Sequence, residues 1–336
     1  MCKRRACFGR AVRRRTVAPR REVQAAAMPH PIVARLCLCV SRRHGAWLAL
    51  LCLCPAWGRA QTSSADALRT RYEAVSATAP AALGEPGVVL VSSETSDQLQ
   101  GEVYAVVDQP LADTRSALAP PEAWCAILVL HLNVQYCRPD TAAGAAVLVV
   151  GIGRKVEQPL AALTWLRLDY RVGHLDPDLF SATLQTAHGP YGTTDFQLSL
   201  EAVAHPPHRT LVHLTYRYRY GALARVALQA YLATIGAAKV GFSVVGQGAD
   251  GQPQRAAGLR GAVERNVLRY HFALAAYLAA ASLPTAQQQQ ARLDGWFAAT
   301  ERHPLQLREV TRDAYLSMKH SQIERQATQP PPAVVP

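Results

Sequence analysis

Four groups of side chains in this chain have types and spacings from which chemistry could be built. His174-x-Asp176-x-Asp178 sets three potential ligands at alternate positions, on one side of an extended chain, as a bound cation would need. Pro177 within the same group equally marks a solvated turn. His188, Tyr191 and Asp195 surround another turn and offer an imidazole, a phenol and a carboxylate for acid–base work. His131, Asn133 and Arg138 cluster beside Cys125 and Cys137. Tyr216, Tyr218 and Tyr220 alternate, so that three phenols share one face of a strand, each an apolar ring with a polar handle as ligand pockets use them. Tyrosine is also a good strand former, and plain core is the competing reading.

The signatures of established catalytic classes are missing. The chain has no nucleophile elbow, no His-Glu-x-x-His, no phosphate loop, and no Cys-x-x-Cys beyond residue 60. Two cysteines do not supply the roughly four ligands of a zinc site. No metal and no cofactor is expected, and no catalytic residue can be assigned.

The elements that must position these side chains read mostly as strands. Segments 165–172, 180–186, 194–203 and 211–220 alternate apolar with polar residues, which is the mark of an antiparallel sheet with one wet face. The apolar parity is even: Leu168, Tyr170, Leu184, Phe196, Leu198, Leu214, Tyr216 and Tyr218 should line the inner surface. Segments 101–108 and 147–152 are further strands, and Asp250-Gly251 marks a hairpin whose first arm is 240–245. Helices are expected at 111–119 and 121–130, the second opened by Pro121, then at 222–235, 262–283, 286–300 and 305–325. Arg225, Lys239, Arg269 and His271 interrupt every apolar stretch long enough to span a bilayer. Arg260 and Glu264, four apart, should pair at the entrance of the long helix.

The formal charge of +12 sits in the first sixty residues, where thirteen Lys and Arg face the single acid Glu22; the remainder carries 23 basic and 23 acidic residues. That basic segment has the layout of an export signal: Arg42 and Arg43, an apolar run over 46–54, and the small-residue stop Gly58-Arg59-Ala60. Cleavage after Ala60 is expected, with Met28 as the natural start and residues 1–27 as upstream sequence. An N-terminal anchor is the alternative, but the apolar run is about nine residues against the roughly 20 a span needs. Six of the eight cysteines leave with this segment, and Cys125 and Cys137 remain. An even pair in an oxidising compartment favours a disulfide, with two buried thiols as the alternative.

The order of one strand, two short helices, a run of antiparallel strands and a long helix resembles the START-like, or polyketide-cyclase-like (SRPBCC), helix-grip superfamily. Val103-Tyr104-Ala105-Val106-Val107-Asp108 followed by 110–119 and Pro121-Glu122-Ala123-Trp124 carries the likeness, which covers roughly residues 100–282. His131-Leu132-Asn133-Val134-Gln135-Tyr136-Cys137 also resembles exported proteobacterial proteins of unassigned function. The chain departs from the superfamily by a helix and a hairpin between the tyrosine strand and the long helix, and by helices after it; whether 222–235 or 262–283 grips the sheet is open. The resemblance implies an α+β fold, a curved antiparallel sheet wrapped on a helix around a cavity for a lipid or polyketide-like molecule. Five segments are expected: 1–60 upstream and signal sequence, 61–99 lead-in, 100–283 START-like domain, 284–326 helical extension, and 327–336 disordered tail. Tyr216, Tyr218, Tyr220, Tyr170, His131 and Asn133 are the expected ligand-binding residues. A cyclase or hydrolase on this scaffold, or an envelope assembly protein with a groove for another protein, are the competing functions.

The even charge balance after residue 60 excludes nucleic acid as a partner, because counterion release needs a basic surface. The exported protein is expected to pass through heparin at low salt; salt-sensitive retention with submicromolar nucleic-acid affinity would contradict this.

Overall fold

The computed structural model describes residues 64–78, 83–85, 87–141, 144–173, 177–234, 239–248 and 250–332. The expected signal, its six cysteines, the start at Met28, and His174 and Asp176 lie outside the described residues, as do residues 333–336 of the expected tail; residues 327 and 328 of that tail are helical instead.

Helix α1 (Ser64–Thr78) precedes a hairpin of β1 (Val89–Glu94) and β2 (Gln98–Val107). Helices α2 (Leu111–Leu118) and α3 (Pro121–Leu128) then cross to β3 (Val134–Asp140), which starts a meander of β4 (Val147–Ile152), β5 (Thr164–Val172), β6 (Leu179–His188), β7 (Thr193–His205) and β8 (Arg209–Tyr220). The eight strands form one antiparallel sheet in the order β1-β2-β8-β7-β6-β5-β4-β3. Two of them, β1 and β3, were not expected from the sequence. They are its two edges, where only one neighbour has to be satisfied; β3 carries Pro139, a residue that edge strands tolerate, and neither alternates over more than a few residues.

After β8 come α4 (Ala222–Thr234), the hairpin β9 (Val244–Gln247) and β10 (Pro253–Arg255), and the 22-residue helix α5 (Gly258–Ala279). The hairpin's first arm therefore lies a few residues later than 240–245. Helices α6 (Thr285–Glu301), α7 (Pro304–Leu307) and α8 (Arg312–Thr328) complete the chain. The single helix expected over 305–325 is two, because the Thr311 hydroxyl accepts from Ala314 N and caps a new start.

The gripping helix is α5. Its Val263, Val267, Tyr270 and Leu274 join the same apolar cluster as Leu168, Tyr170, Leu184, Phe196, Leu198, Leu214, Tyr216 and Tyr218, so the even parity does face inward. At Gly101 of β2 a Cβ would stand 2.9 Å from Val267 Cγ1 and 3.3 Å from Val263 O, so helix and strand meet almost backbone to backbone. The far side of α5 is covered as well: Trp296 Nε1 on α6 donates to Arg269 O at 3.0 Å, and Trp296 stacks on Tyr315 of α8. A helix sandwiched in this way has no polar face, which is why α5 lacks amphipathic patterning.

Two buried polar anchors and a disulfide hold peripheral elements in place. Glu264, fully buried, accepts from Phe242 N at 2.6 Å, Ser243 N at 3.0 Å and Ser92 Oγ at 2.6 Å, with Arg260 Nε 3.6 Å away, which realises the expected pairing. Lys319 of α8, also fully buried, donates to His131 O, Val134 O and Gln322 Oε1. Cys125 and Cys137 are disulfide-bonded, tying α3 to β3 with Cα atoms 5.1 Å apart. No described helix is long and apolar enough to cross a membrane.

Closing the 12-residue loop with the disulfide should stabilise the fold by about 3 kcal/mol. Oxidised and reduced protein compared by urea unfolding measure this directly, and coincident midpoints would show that the bridge contributes nothing.

Candidate functional site

The inner end of β8 carries a continuous row of rings. Tyr216 and Tyr218 have centroids 5.7 Å apart, and Tyr218 and Tyr220 6.4 Å. Tyr216 also meets Phe196 of β7 edge-on at 5.5 Å and Tyr270 of α5 at 5.5 Å, and Tyr270 stacks on His131 at 4.8 Å. The row thus runs from β8 across the helix to the turn between α3 and β3. It joins four of the six expected ligand-binding residues: Tyr216, Tyr218, Tyr220 and His131.

The other two stand apart. Tyr170 lies on β5, separated from β8 by β6 and β7, and its hydroxyl donates to Ala119 O at 2.7 Å, pinning the strand to the corner between α2 and α3. Asn133 Nδ2 donates to Gly153 O at 2.8 Å, which ties the ends of β3 and β4. Tyr220 is in the row, but its hydroxyl is committed to Thr95 O at 2.9 Å.

Tyr216, Tyr218 and Tyr270 differ from these. They are buried and keep 7–8 % exposure, as Tyr170 does, while flanking Leu198 and Leu214 keep 1 %. The hydroxyls of Tyr218 and Tyr270 have no hydrogen-bond partner among the described residues. Burial holds all three phenols well above their ordinary pKa, so they remain protonated. Asn266 of α5, half-buried, interacts with Tyr216 and with His131. Burial, and then the charges of Arg269, Lys319 and Lys155, hold His131 well below the usual imidazole range, so it is neutral. Tyr270 escaped the sequence reading, although it stands four residues from Asn266, and two polar groups at that spacing on an apolar helix share a face.

The opposite, odd-parity face holds two features that the alternation pattern alone does not distinguish from solvated surface. An open cleft of about 480 Å³ is lined by Gln98, Asp169, Gln185, Gln197, Arg217 and Arg219 among others, and reaches Phe196 and Tyr218. It lies where the register of β7 on β8 shifts between Thr194 and Gln197, with Asp195 at φ 49°. His188 and Tyr191 lie exposed near it. Among the described residues no group of three His, Cys, Asp or Glu is placed to hold a metal ion.

The second feature is a buried charge cluster beneath α1. His213 Nε2 lies 2.8 Å from Glu102 Oε2 and its Nδ1 3.0 Å from Glu201 Oε2, with the ring stacked on Tyr104 at 4.1 Å. Tyr104 and Gln100 donate to Glu102 at 3.0 and 2.7 Å. Burial alone would raise Glu102, but these hydrogen bonds and the imidazolium charge overcome it and hold the carboxyl at about 2. Burial likewise opposes charging His213, and the two carboxylates prevail, lifting it above its ordinary range. Ala65 and Leu68 of α1 pack over Tyr104, Val203 and Leu211 beside it.

No protein-family profile matches the sequence, and no curated protein matches it. Solved structures similar to the chain include human StAR-related lipid transfer protein 5 (10 % identity, 49 % of this chain and 88 % of that one, TM-score 0.28), the ZhuI aromatase/cyclase of Streptomyces sp. R1128 (11 %, 61 % and 94 %, 0.29) and truncated norcoclaurine synthase of Thalictrum flavum (10 %, 43 % and 91 %, 0.30). The helix-grip arrangement itself is read from the strand order and the seating of α5 in this chain.

His213→Gln keeps hydrogen-bonding capacity and removes the charge. A raised imidazole stabilises fully below 6.5 and loses its effect as pH rises through its folded value; a depressed carboxylate stabilises above 4.5 and loses its effect as pH falls toward about 2. The wild type's margin in melting temperature over the variant should therefore be largest between pH 4.5 and 6.5 and shrink on both sides. A margin independent of pH would show that the imidazole is uncharged.

Proposed function

We propose that this protein binds a hydrophobic or amphiphilic small molecule, such as a lipid or a polyketide-like compound, between the tyrosine end of β8 and α5. One observation carries the proposal: Tyr216, Tyr218 and Tyr270 place hydroxyls and residual accessible surface deep among apolar neighbours, next to a half-buried Asn266. A sealed core would exclude such groups or pair them internally, because an unpaired buried hydroxyl costs roughly 1–3 kcal/mol. Rings with hydroxyls facing a small amount of space are what an apolar pocket with a few orienting polar groups requires.

Binding is favoured over catalysis by the state of the groups on the row. The acceptor nitrogen of His131, Nδ1, is taken by Asn133 N at 3.1 Å, and burial holds the phenols protonated, so the row presents neither a free base nor a phenolate nucleophile. The Cys125–Cys137 bridge supports an oxidising compartment, the periplasm or the exterior, in keeping with the cleavable signal read in the first sixty residues.

The purified protein should take up the neutral fluorescent probe phenylnaphthylamine, and Tyr218→Ala should reduce uptake more than it lowers the melting temperature. If Tyr218→Ala unfolds the protein while leaving uptake per folded molecule intact, or if the wild type takes up no probe, the tyrosines are plain core.

A further inference from the structure

Resting on that reading, we infer that the site selects an electrically neutral ligand with an oxygen acceptor, a carbonyl, ester or hydroxyl, at its buried end. The groups that converge on the ring row are neutral hydrogen-bond donors. Tyr216, Tyr218 and Tyr270 contribute hydroxyls. His131 contributes another donor by its tautomer: Nδ1 accepts from Asn133 N at 3.1 Å, so in the neutral ring the proton sits on Nε2. That Nε2 is buried and has no partner within hydrogen-bonding distance among the described residues, although Asn266 stands near the ring. The hydroxyls of Tyr218 and Tyr270 and the Nε2 of His131 are therefore donors in want of acceptors, in a row whose rings meet through Tyr270.

The charged groups described at the border of the row are each engaged within the fold. Arg269, 3 % exposed, pairs with Glu309 at 2.9 Å, and Lys155 reaches the same carboxylate at 2.7 Å. Lys155 keeps 35 % of its side chain exposed. Lys319 directs its ammonium to three oxygens of the fold. At the other end of the row Glu94 lies 3.8 Å from Arg225. Among the described residues a ligand carboxylate or phosphate would meet only cations already engaged within the fold, and an ammonium only carboxylates already engaged; a buried ion without a partner discharges instead. A carbonyl oxygen would satisfy the idle donors at no such cost.

A matched pair of probes separates the possibilities: cis-parinaric acid and its methyl ester, which share one fluorescent chain and differ in charge. At about pH 8 the ester should bind about tenfold more tightly than the acid or better, and the acid should gain affinity as pH falls and its carboxyl protonates. The Tyr216→Phe, Tyr270→Phe double variant, which keeps both rings, should weaken the ester several-fold relative to phenylnaphthylamine, a probe without an oxygen acceptor. If phenylnaphthylamine is taken up and the ester is not preferred over the acid, the inference is overturned while the binding reading stands. If phenylnaphthylamine is not taken up, both fall.

Discussion

The contact between Gly101 and Val267 is the constraint from which the rest of the molecule follows. Only a residue without a Cβ lets α5 settle onto β2 at this distance. Once seated there, the helix packs its Val263, Val267, Tyr270 and Leu274 on the inner face of the sheet, and the row of Tyr216, Phe196 and Tyr218 meets Tyr270 rather than solvent. Helices α2 and α3 cover the inner face elsewhere, held by Trp124 Nε1 to Leu118 O and by Tyr170 to Ala119 O. The candidate site is the place where these two covers meet the sheet with tyrosine and asparagine instead of leucine.

A helix buried on every side gives up the usual amphipathic cue, and its partners are specified by buried polar groups instead. Glu264 anchors the segment before β9, Arg269 recruits Glu309, and Lys319 recruits the turn after α3. Such groups lose solvation on burial, and their net contribution to stability is small or negative against an apolar replacement. What they supply here is position: each joins residues far apart in sequence, such as Lys319 to Val134, and each would be costly to leave unpaired in an alternative arrangement. The same logic holds on the outer face, where Glu102, His213 and Glu201 bring charge beneath α1.

The two faces of the sheet therefore carry different chemistry. The inner face is neutral and hydrogen-bonding at one end and apolar elsewhere; the outer face carries ionised groups in a buried cluster and along an open cleft. The register shift of β7 on β8 is the point at which the two come nearest, since the outer cleft reaches Phe196 and Tyr218, both of which belong to the inner row.

Local pattern determined much of this. Strict alternation along β5 to β8 places Leu168, Tyr170, Leu184, Phe196, Leu198, Leu214, Tyr216 and Tyr218 on one face whatever packs against them, because a strand's side chains point alternately to its two faces. Helix positions, the cysteine pair, the Arg260–Glu264 contact and the tyrosine row were legible for the same reason: each depends on neighbours within a dozen residues. The edge strands β1 and β3 were not, since a short edge with one partner leaves a weak pattern. Nor could spacing say that α5 rather than α4 grips the sheet, that Asn266 and Tyr270 complete the row, that Tyr170, Tyr220 and Asn133 spend their polar groups on backbone carbonyls, or that His213 lies between two carboxylates. Those outcomes rest on pairings between residues up to a hundred or more positions apart, and only the folded chain decides which distant partners a buried polar group finds.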